Sequence, residues 1–351
     1  MDEGPRLVSR KIVVAADTHL NNHPVLGGPL VGGRNERCRR IESAIATVAA
    51  FAAKNGATLV LAGDVFDTAY PTPQMVHALG LALSKTSTRR LLAGNHDRVT
   101  TAPSDHALAP LALQDGTDVI DTVRFIDGVG YIPPPPRGQS AAEWFDAAFA
   151  DVHAQAAGET IGAIVTHVGI VHPGAPVARI SKANLPQEIA FKLMRQYEVR
   201  RLFAGDWHER HVAKQGGMVV EQIGALVPAG WDEQGPDFGY ATLYDLDTYE
   251  SKTVKVPGPR FYVTDSKDEA VKLKEGGAYV KLAAPRGTIA PEGVLLTESA
   301  VRSERTADEV RASTALSVDA AFCESVNEMI VPQLREQVLA KVRQAWSSAS
   351  D

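Results

Sequence analysis

Short apolar runs alternate with longer periodic segments along the first two thirds of the chain. Residues 12–16, 58–62, 90–93, 161–165 and 199–204 are runs of four to six largely apolar residues, the pattern of strands covered on both faces. Segments 36–54 and 74–84 between them carry apolar residues at helical spacing. Strands alternating with helices predict an α/β fold with a mostly parallel sheet, in which residues just past the carboxyl ends of the strands gather on one rim. Each run ends in a polar cluster: Asp17-Thr18-His19, Gly63-Asp64, Gly94-Asn95-His96-Asp97, Thr166-His167 and Gly205-Asp206-Trp207-His208. Clusters nearly two hundred positions apart can therefore share one site.

Beyond the clusters the pattern changes. Pro133 to Pro136 read as a stiff surface connection, and 141–155 as a helix. From Met218 to Tyr249, short apolar runs punctuated by Gly and Pro predict strands that complete a two-sheet sandwich, with 241–246 the clearest. These features place one domain over 1–250. Residues 251–300 form a second unit with strands at 261–263, 278–282 and 294–297 and a helix at 267–274. In 301–351, Phe322, Val326, Met329, Ile330, Leu334, Val338, Leu339, Val342 and Trp346 recur at helical spacing on either side of Pro332, which is expected to kink the segment or split it into two helices. An apolar stripe of this kind folds back on the chain or docks on a partner.

Asp, His and Asn offer oxygen and imidazole donors without a thiolate, a set suited to manganese, iron or zinc rather than to a structural zinc cage. A carboxylate such as Asp64 can bridge two cations, and paired cations can clamp a phosphate and acidify water. One cluster alone reads equally as a helix cap or turn. Five in order, each after a strand, read as a two-metal phosphoesterase.

The same clusters resemble the calcineurin-like metallophosphoesterase superfamily. The stretch 62–68 (AGDVFDT), followed by Tyr70-Pro71-Thr72-Pro73 and by 92–99 (LAGNHDRV), is similar to the SbcD-type DNA exonucleases of bacteria and bacteriophages. The resemblance covers roughly residues 10–210. It implies a four-layer α/β/β/α sandwich, a small α+β capping domain that places DNA, and a C-terminal helical segment that meets an SMC-like coiled-coil ATPase of the SbcC type. It also implies two divalent cations, manganese first, with magnesium, iron or zinc as alternatives. Asp17, His19 and His208 would hold one cation, Asn95, His167 and Asp206 the other, and Asp64 would bridge. His96 would stabilise the phosphoryl oxygens and protonate the leaving oxygen, with Asp97 orienting it, while Asp67 and Arg98 would support the site. The implied activity is 3′→5′ exonuclease action on duplex ends, with endonuclease action on single strands, in a cytoplasmic protein that can form a homodimer. One position departs from the pattern: the family reads Gly-His-x-His where this chain has Gly205-Asp206-Trp207-His208. Asp206 either shifts the metal preference away from zinc or reaches the metal through water.

Composition narrows the partners. The chain has 351 residues, 44% of them hydrophobic and 22% charged, which fits a globular protein of more than one unit. The two cysteines, Cys38 and Cys323, make no disulfide framework and point to a reducing cytosol. No apolar leader and no membrane-length apolar stretch are visible. The net charge of −6 runs against a free-standing DNA-binding module, although bound cations would reverse the field where phosphate enters. Arg34, Arg37, Arg39 and Arg40 read as a solvated face, His77 as a surface or half-buried helix residue, and His23, His106, His172 and His211 as solvated loop residues rather than substrate contacts. Two other functions share these residues. One is a small-molecule phosphodiesterase or phosphatase, and the other a largely inactive metal-binding scaffold that recruits an ATPase.

Overall fold

The computed structural model describes residues 10–298 except 24–25, 101, 103, 176–179 and 286. The first sheet is built from four parallel strands in chain order, β1 (Lys11–Ala15), β2 (Thr58–Ala62), β3 (Arg89–Leu92) and β4 (Thr117–Ile120). The second begins with β5 (Arg124–Ile126) antiparallel to β6 (Val129–Ile132), which runs parallel to β7 (Ala163–His167). After a two-stranded ribbon of β8 (Ile170–Val171) and β9 (Leu185–Pro186), the second sheet continues. It adds β10 (Arg201–Gly205) beside β7, then β12 (Met218–Gln222), with β11 (His211–Gln215) antiparallel at the edge. The chain then returns to the first sheet, where β13 (Tyr240–Asp245) pairs antiparallel with β1 and β14 (Ser251–Lys255) pairs antiparallel with β13.

The twofold alternation of side chains along each strand assigns the layers. Ile12, Val14, Val60, Ala62 and Leu92 point inward and meet Val129, Tyr131, Ala163, Val165 and Phe203 in a buried layer between the sheets. Their neighbours Val13, Ala15, Leu59, Leu61 and Leu91 point the other way, under α1 (Glu36–Lys54) and α2 (Pro73–Leu83). On the far side, Ile164, Leu202 and Val220 pack under α3 (Ala141–Ala156) and α4 (Gln187–Gln196). The protein is thus a four-layer α/β/β/α sandwich. Helix α1 starts where the Asn35 side chain accepts from the Cys38 N–H at 3.0 Å, and Ile41, Ile45, Val48 and Ala52 form its buried stripe.

The described residues up to Leu282, together with Ile289–Thr297, form one compact unit. It includes β15 (Phe261–Thr264), α5 (Lys267–Glu275) and most of β16 (Tyr279–Ala284) and β17 (Leu295–Glu298), the strands of a small sheet. Residues 251–255, which the sequence groups with this small unit, supply the edge strand β14 of the first sheet. The helical stripe expected over 322–346 lies outside the described residues. No helix among the described residues is long and apolar enough to cross a membrane.

Three sequence expectations change here. Arg37 is fully buried rather than solvated; it donates to Pro228 O at 2.8 Å and lies over the rings of Phe261 and Tyr279. Pro133 and Pro134 are buried, and the Pro133 carbonyl accepts from the Trp144 indole at 3.0 Å. His106 is buried with Nε2 3.7 Å from Asp121. A local pattern cannot see such neighbours, because each comes from another part of the chain.

Candidate metal centre

The loops after β1 and β2 are zipped together by backbone bonds. Asp17 N–H donates to Gly63 O at 3.2 Å, His19 N–H to Asp64 O at 3.0 Å and Leu20 N–H to Val65 O at 2.9 Å. Asp17, His19, Asp64 and Asp206 all have positive φ (52°, 42°, 47° and 84°), a region that costs a non-glycine residue free energy and persists only where surroundings enforce it. Two glycines make room: a Cβ on Gly63 would lie 2.2 Å from His167 Nδ1, and one on Gly94 would lie 2.1 Å from Asp64 Oδ1. Gly63 also has φ +87°.

First-sheet loops bring Asp17, His19, Asp64 and Asn95, and the second sheet brings His167, Asp206 and His208. Two triads, Asp17–His19–His208 and Asp17–Asp64–His167, have ligand atoms within 4.8 Å of one another, and Asp17 belongs to both. A third group, His19–Asp67–His96, meets the same limit. His167 Nε2 lies 2.9 Å from Asn95 Oδ1, 3.2 Å from Asp64 Oδ2 and 3.9 Å from Asp206 Oδ1. The Asp206 N–H donates to Asp17 Oδ1 at 3.0 Å.

The hydrogen bonds on the far sides of the rings test whether cations fit. His167 Nδ1 is 2.9 Å from the Ala62 carbonyl, an acceptor, so this nitrogen carries the proton. In the neutral ring Nε2 then presents a lone pair to Asn95 Oδ1 and Asp64 Oδ2, which are acceptors themselves. Likewise, His19 Nδ1 faces Asp67 Oδ1 at 3.1 Å and His208 Nδ1 donates to Glu233, which turns the two Nε2 atoms toward each other at 3.0 Å. Lone pairs facing lone pairs are what a cation resolves, and carboxylates or carbonyls behind ligating imidazoles are the usual support. The donors fit two divalent cations.

Charge tells the same story. Burial pushes the Asp17 carboxyl up, against the pull of His167 and His208. At Asp64 burial also acts upward, but His167, His19 and His96 outweigh it and hold the carboxyl below its ordinary range. Burial lowers His167, yet Asp64, Asp17 and Asp206 carry it well above the usual imidazole value. For His208, burial is outweighed by Glu233 and Asp17, and its value is pushed up to about 9. An excess of carboxylate holds protons on the imidazoles that cations would displace.

One of the sequence-predicted roles is altered. Asp97 does not face His96: it is fully buried and accepts from the backbone N–H groups of Phe66 (2.8 Å), Gly94 (2.9 Å) and Val65 (3.1 Å). Burial and the nearby Asp64 push its carboxyl up to about 6, against those three donors. The partner of His96 is the Asp67 carbonyl, 3.1 Å from Nδ1, while its backbone N–H donates to Asp64 Oδ1 at 2.9 Å. Arg98 donates from Nη2 to Pro134 O at 3.4 Å. Sequence reasoning missed Glu233, which accepts from Ala229 N–H at 2.7 Å with the oxygen not used by His208. It lies in a Gly- and Pro-rich loop with no motif to mark it. His172 and His211 stack with ring centroids 3.8 Å apart.

No family model and no curated protein matches the chain. Among solved structures, it is similar to a protein of Thermus thermophilus, at 14% identity and TM-score 0.44, over 70% of this chain and 99% of that one. It is also similar to a dimetal phosphatase from Danio rerio, at 13% identity and TM-score 0.42, over 71% and 99% of the two chains. A third likeness is to an archaeal phosphodiesterase, at 12% identity and TM-score 0.37, over 70% and 99%. At these identities and scores they are likenesses only, and the chemistry of the centre is read from its own donors.

Proposed function

We propose that this chain is a metal-dependent phosphodiesterase and that its substrate is DNA. The observation that carries the first half is the set of facing acceptor atoms at the junction of the two sheets. Asp17, His19 and His208 would hold one cation, Asn95, His167 and Asp206 the other, with Asp64 between them. Bound divalent cations supply Lewis-acid polarisation of a phosphoryl oxygen and acidification of water.

The chain's own groups do the rest. His96 has an exposed ring whose Nδ1–H donates to the Asp67 carbonyl, so that as an imidazolium it carries its second proton on Nε2. From there it donates to the departing oxygen. Asp97 serves this step indirectly, by fixing the backbone of Val65, Phe66 and Gly94 on which Asp64 and His96 ride.

DNA as substrate is supported by the resemblance of 62–73 and 92–99 to SbcD-type nucleases. On this reading the unit containing β15 to β17 positions the duplex, and the C-terminal stretch meets an ATPase partner. A small-molecule phosphodiester is favoured instead by the net charge of −6 and by a cavity of about 500 Å³ whose lining sets three carboxylates, Glu209, Asp232 and Asp237, against the single cation Arg210, a balance that repels a polyanion. The deciding experiment offers manganese-loaded protein labelled linear duplex, single-stranded DNA and bis-p-nitrophenyl phosphate, each with a chelator control. Chelator-sensitive cleavage of DNA is the expected result. Turnover of the nitrophenyl ester alone would replace DNA with a small diester, and no turnover of any substrate would leave only a metal-binding scaffold.

A further inference from the structure

We infer that a second phosphate of the substrate is bound beside the candidate centre, in the cavity of about 450 Å³ lined by Asn95, Arg98, Thr100, Pro134, Pro135 and Arg137. This rests on the phosphodiesterase reading and names the class of diester it acts on: one with another phosphate next to the scissile linkage.

Position is the first ground. Asn95, placed above with His167 in one of the cation positions, is also part of this cavity's wall, so a ligand seated there is continuous with the reacting group. Chemistry is the second. Among the described residues the lining holds two guanidinium groups and a hydroxyl and no carboxylate, in a chain whose overall charge is −6. Guanidinium groups match phosphate oxygens with paired N–H donors, which makes arginine the common choice for phosphate recognition. Donor supply is the third. Arg98 Nε is buried without a hydrogen-bond partner among the described residues, and Nη2 has only the 3.4 Å bond to Pro134 O. The acids whose charge acts on Arg98, Asp121 and Asp97, lie outside the lining. Burial of part of the guanidinium strengthens its pull on an anion. Pro134 and Pro135, which lack backbone N–H groups, add apolar lining on which a sugar or base can rest. The volume suits a nucleotide-sized fragment, within the roughly 300–1,000 Å³ of ligand pockets.

The test compares thymidylyl-thymidine, the same dinucleotide with a 5′- or a 3′-terminal phosphate, a nucleoside diphosphate and bis-p-nitrophenyl phosphate as substrates of the manganese-loaded protein. A terminal phosphate on the correct side is expected to raise kcat/KM about tenfold, the scale of one charged hydrogen-bond set. Arg98→Ala and Arg137→Ala should each collapse that ratio toward one. A gain with a phosphorylated dinucleotide assigns the subsite to a neighbouring linkage of a strand, and a gain with the nucleoside diphosphate alone assigns it to a nucleotide's own second phosphate.

A second readout needs no turnover. Anisotropy of a labelled single-stranded oligonucleotide with chelated protein should show a salt slope shallower by about 0.7 for each arginine removed. Arg98→Lys, which keeps the charge but loses the fork, should keep most of that slope and lose the kinetic ratio. Ratios and slopes unmoved in both alanine variants would overturn the subsite while leaving the phosphodiesterase reading intact. Absence of metal-dependent hydrolysis in the unsubstituted protein would overturn both.

Discussion

Removing the Asp97 carboxylate strands three buried backbone N–H groups, those of Val65, Phe66 and Gly94. Each unsatisfied buried donor costs roughly 1–3 kcal/mol, so Asp97→Ala should destabilise the fold by at least about 3 kcal/mol, seen as a lowered urea midpoint. A loss of activity at full stability would instead restore a direct catalytic duty to Asp97. His96 presents the opposite case, since its ring is exposed and its Nδ1 has one carbonyl partner. His96→Ala should keep the fold and the cation stoichiometry and lower cleavage by about 10² or more, the range that general acid catalysis supplies. Glu233 acts one step further out, through His208. Glu233→Gln should weaken cation binding about 10- to 100-fold by titration calorimetry, the effect typical of lost support behind a ligating imidazole. Asp97 and His96 are both visible in the Asn95-His96-Asp97 run, but a linear motif cannot say which way adjacent side chains point. Glu233 is invisible there because only folding brings it to His208.

Helix α1 shows what the element scale makes readable. Its buried stripe of Ile41, Ile45, Val48 and Ala52 follows from spacing alone, and its start follows from Asn35. The Asn35 side chain does double duty, accepting from Cys38 N–H and donating to the His23 carbonyl at 3.0 Å. Asn35→Ala should therefore cost about 1–2 kcal/mol, at the upper end for a lost cap, by thermal or urea denaturation. Loss of the cap without a measurable shift would mean that tertiary burial of the stripe holds the helix unaided. The parallel strands β1, β2, β3, β7 and β10 are readable within one or two residues because both of their faces are apolar. Strands β4, β5, β11 and β14 are not, since edge or partly exposed strands mix polar and apolar residues and resemble loops. The Lys-bearing strand Ser251–Lys255 accordingly reads as part of the next unit.

At the scale of the whole molecule, the centre joins two sheets, and its charge links cation binding to stability. In cation-free protein His208 is pushed up to about 9 by Glu233 and Asp17 against burial. A raised imidazole stabilises the folded state fully below its unfolded value of about 6.5, and that contribution is lost as pH rises through the folded value. Chelated protein should therefore melt at lower temperature as pH goes from about 7 to about 9.5, whereas cation-loaded protein, whose ring carries no such proton, should not follow. Manganese affinity should rise over the same interval, since the cation and the proton compete for the ring. A chelated melting temperature flat across that range would count against the His208–Glu233 pair. The run-and-cluster pattern by itself determined the parallel strands and the gathering of the five polar clusters, because strand ends converge wherever apolar runs alternate with helices, while the choice of Asp17, His19, Asp64, Asn95, His167, Asp206 and His208 as donors came from the family resemblance. Only the tertiary structure decided that Asp97 holds backbone rather than His96, that Arg37 is buried, that Glu233 stands behind His208, and that Arg98 and Arg137 share a cavity with Asn95. Those are contacts between positions far apart in the chain or between neighbours that face different ways, and side-chain direction in a loop is set by what packs against it.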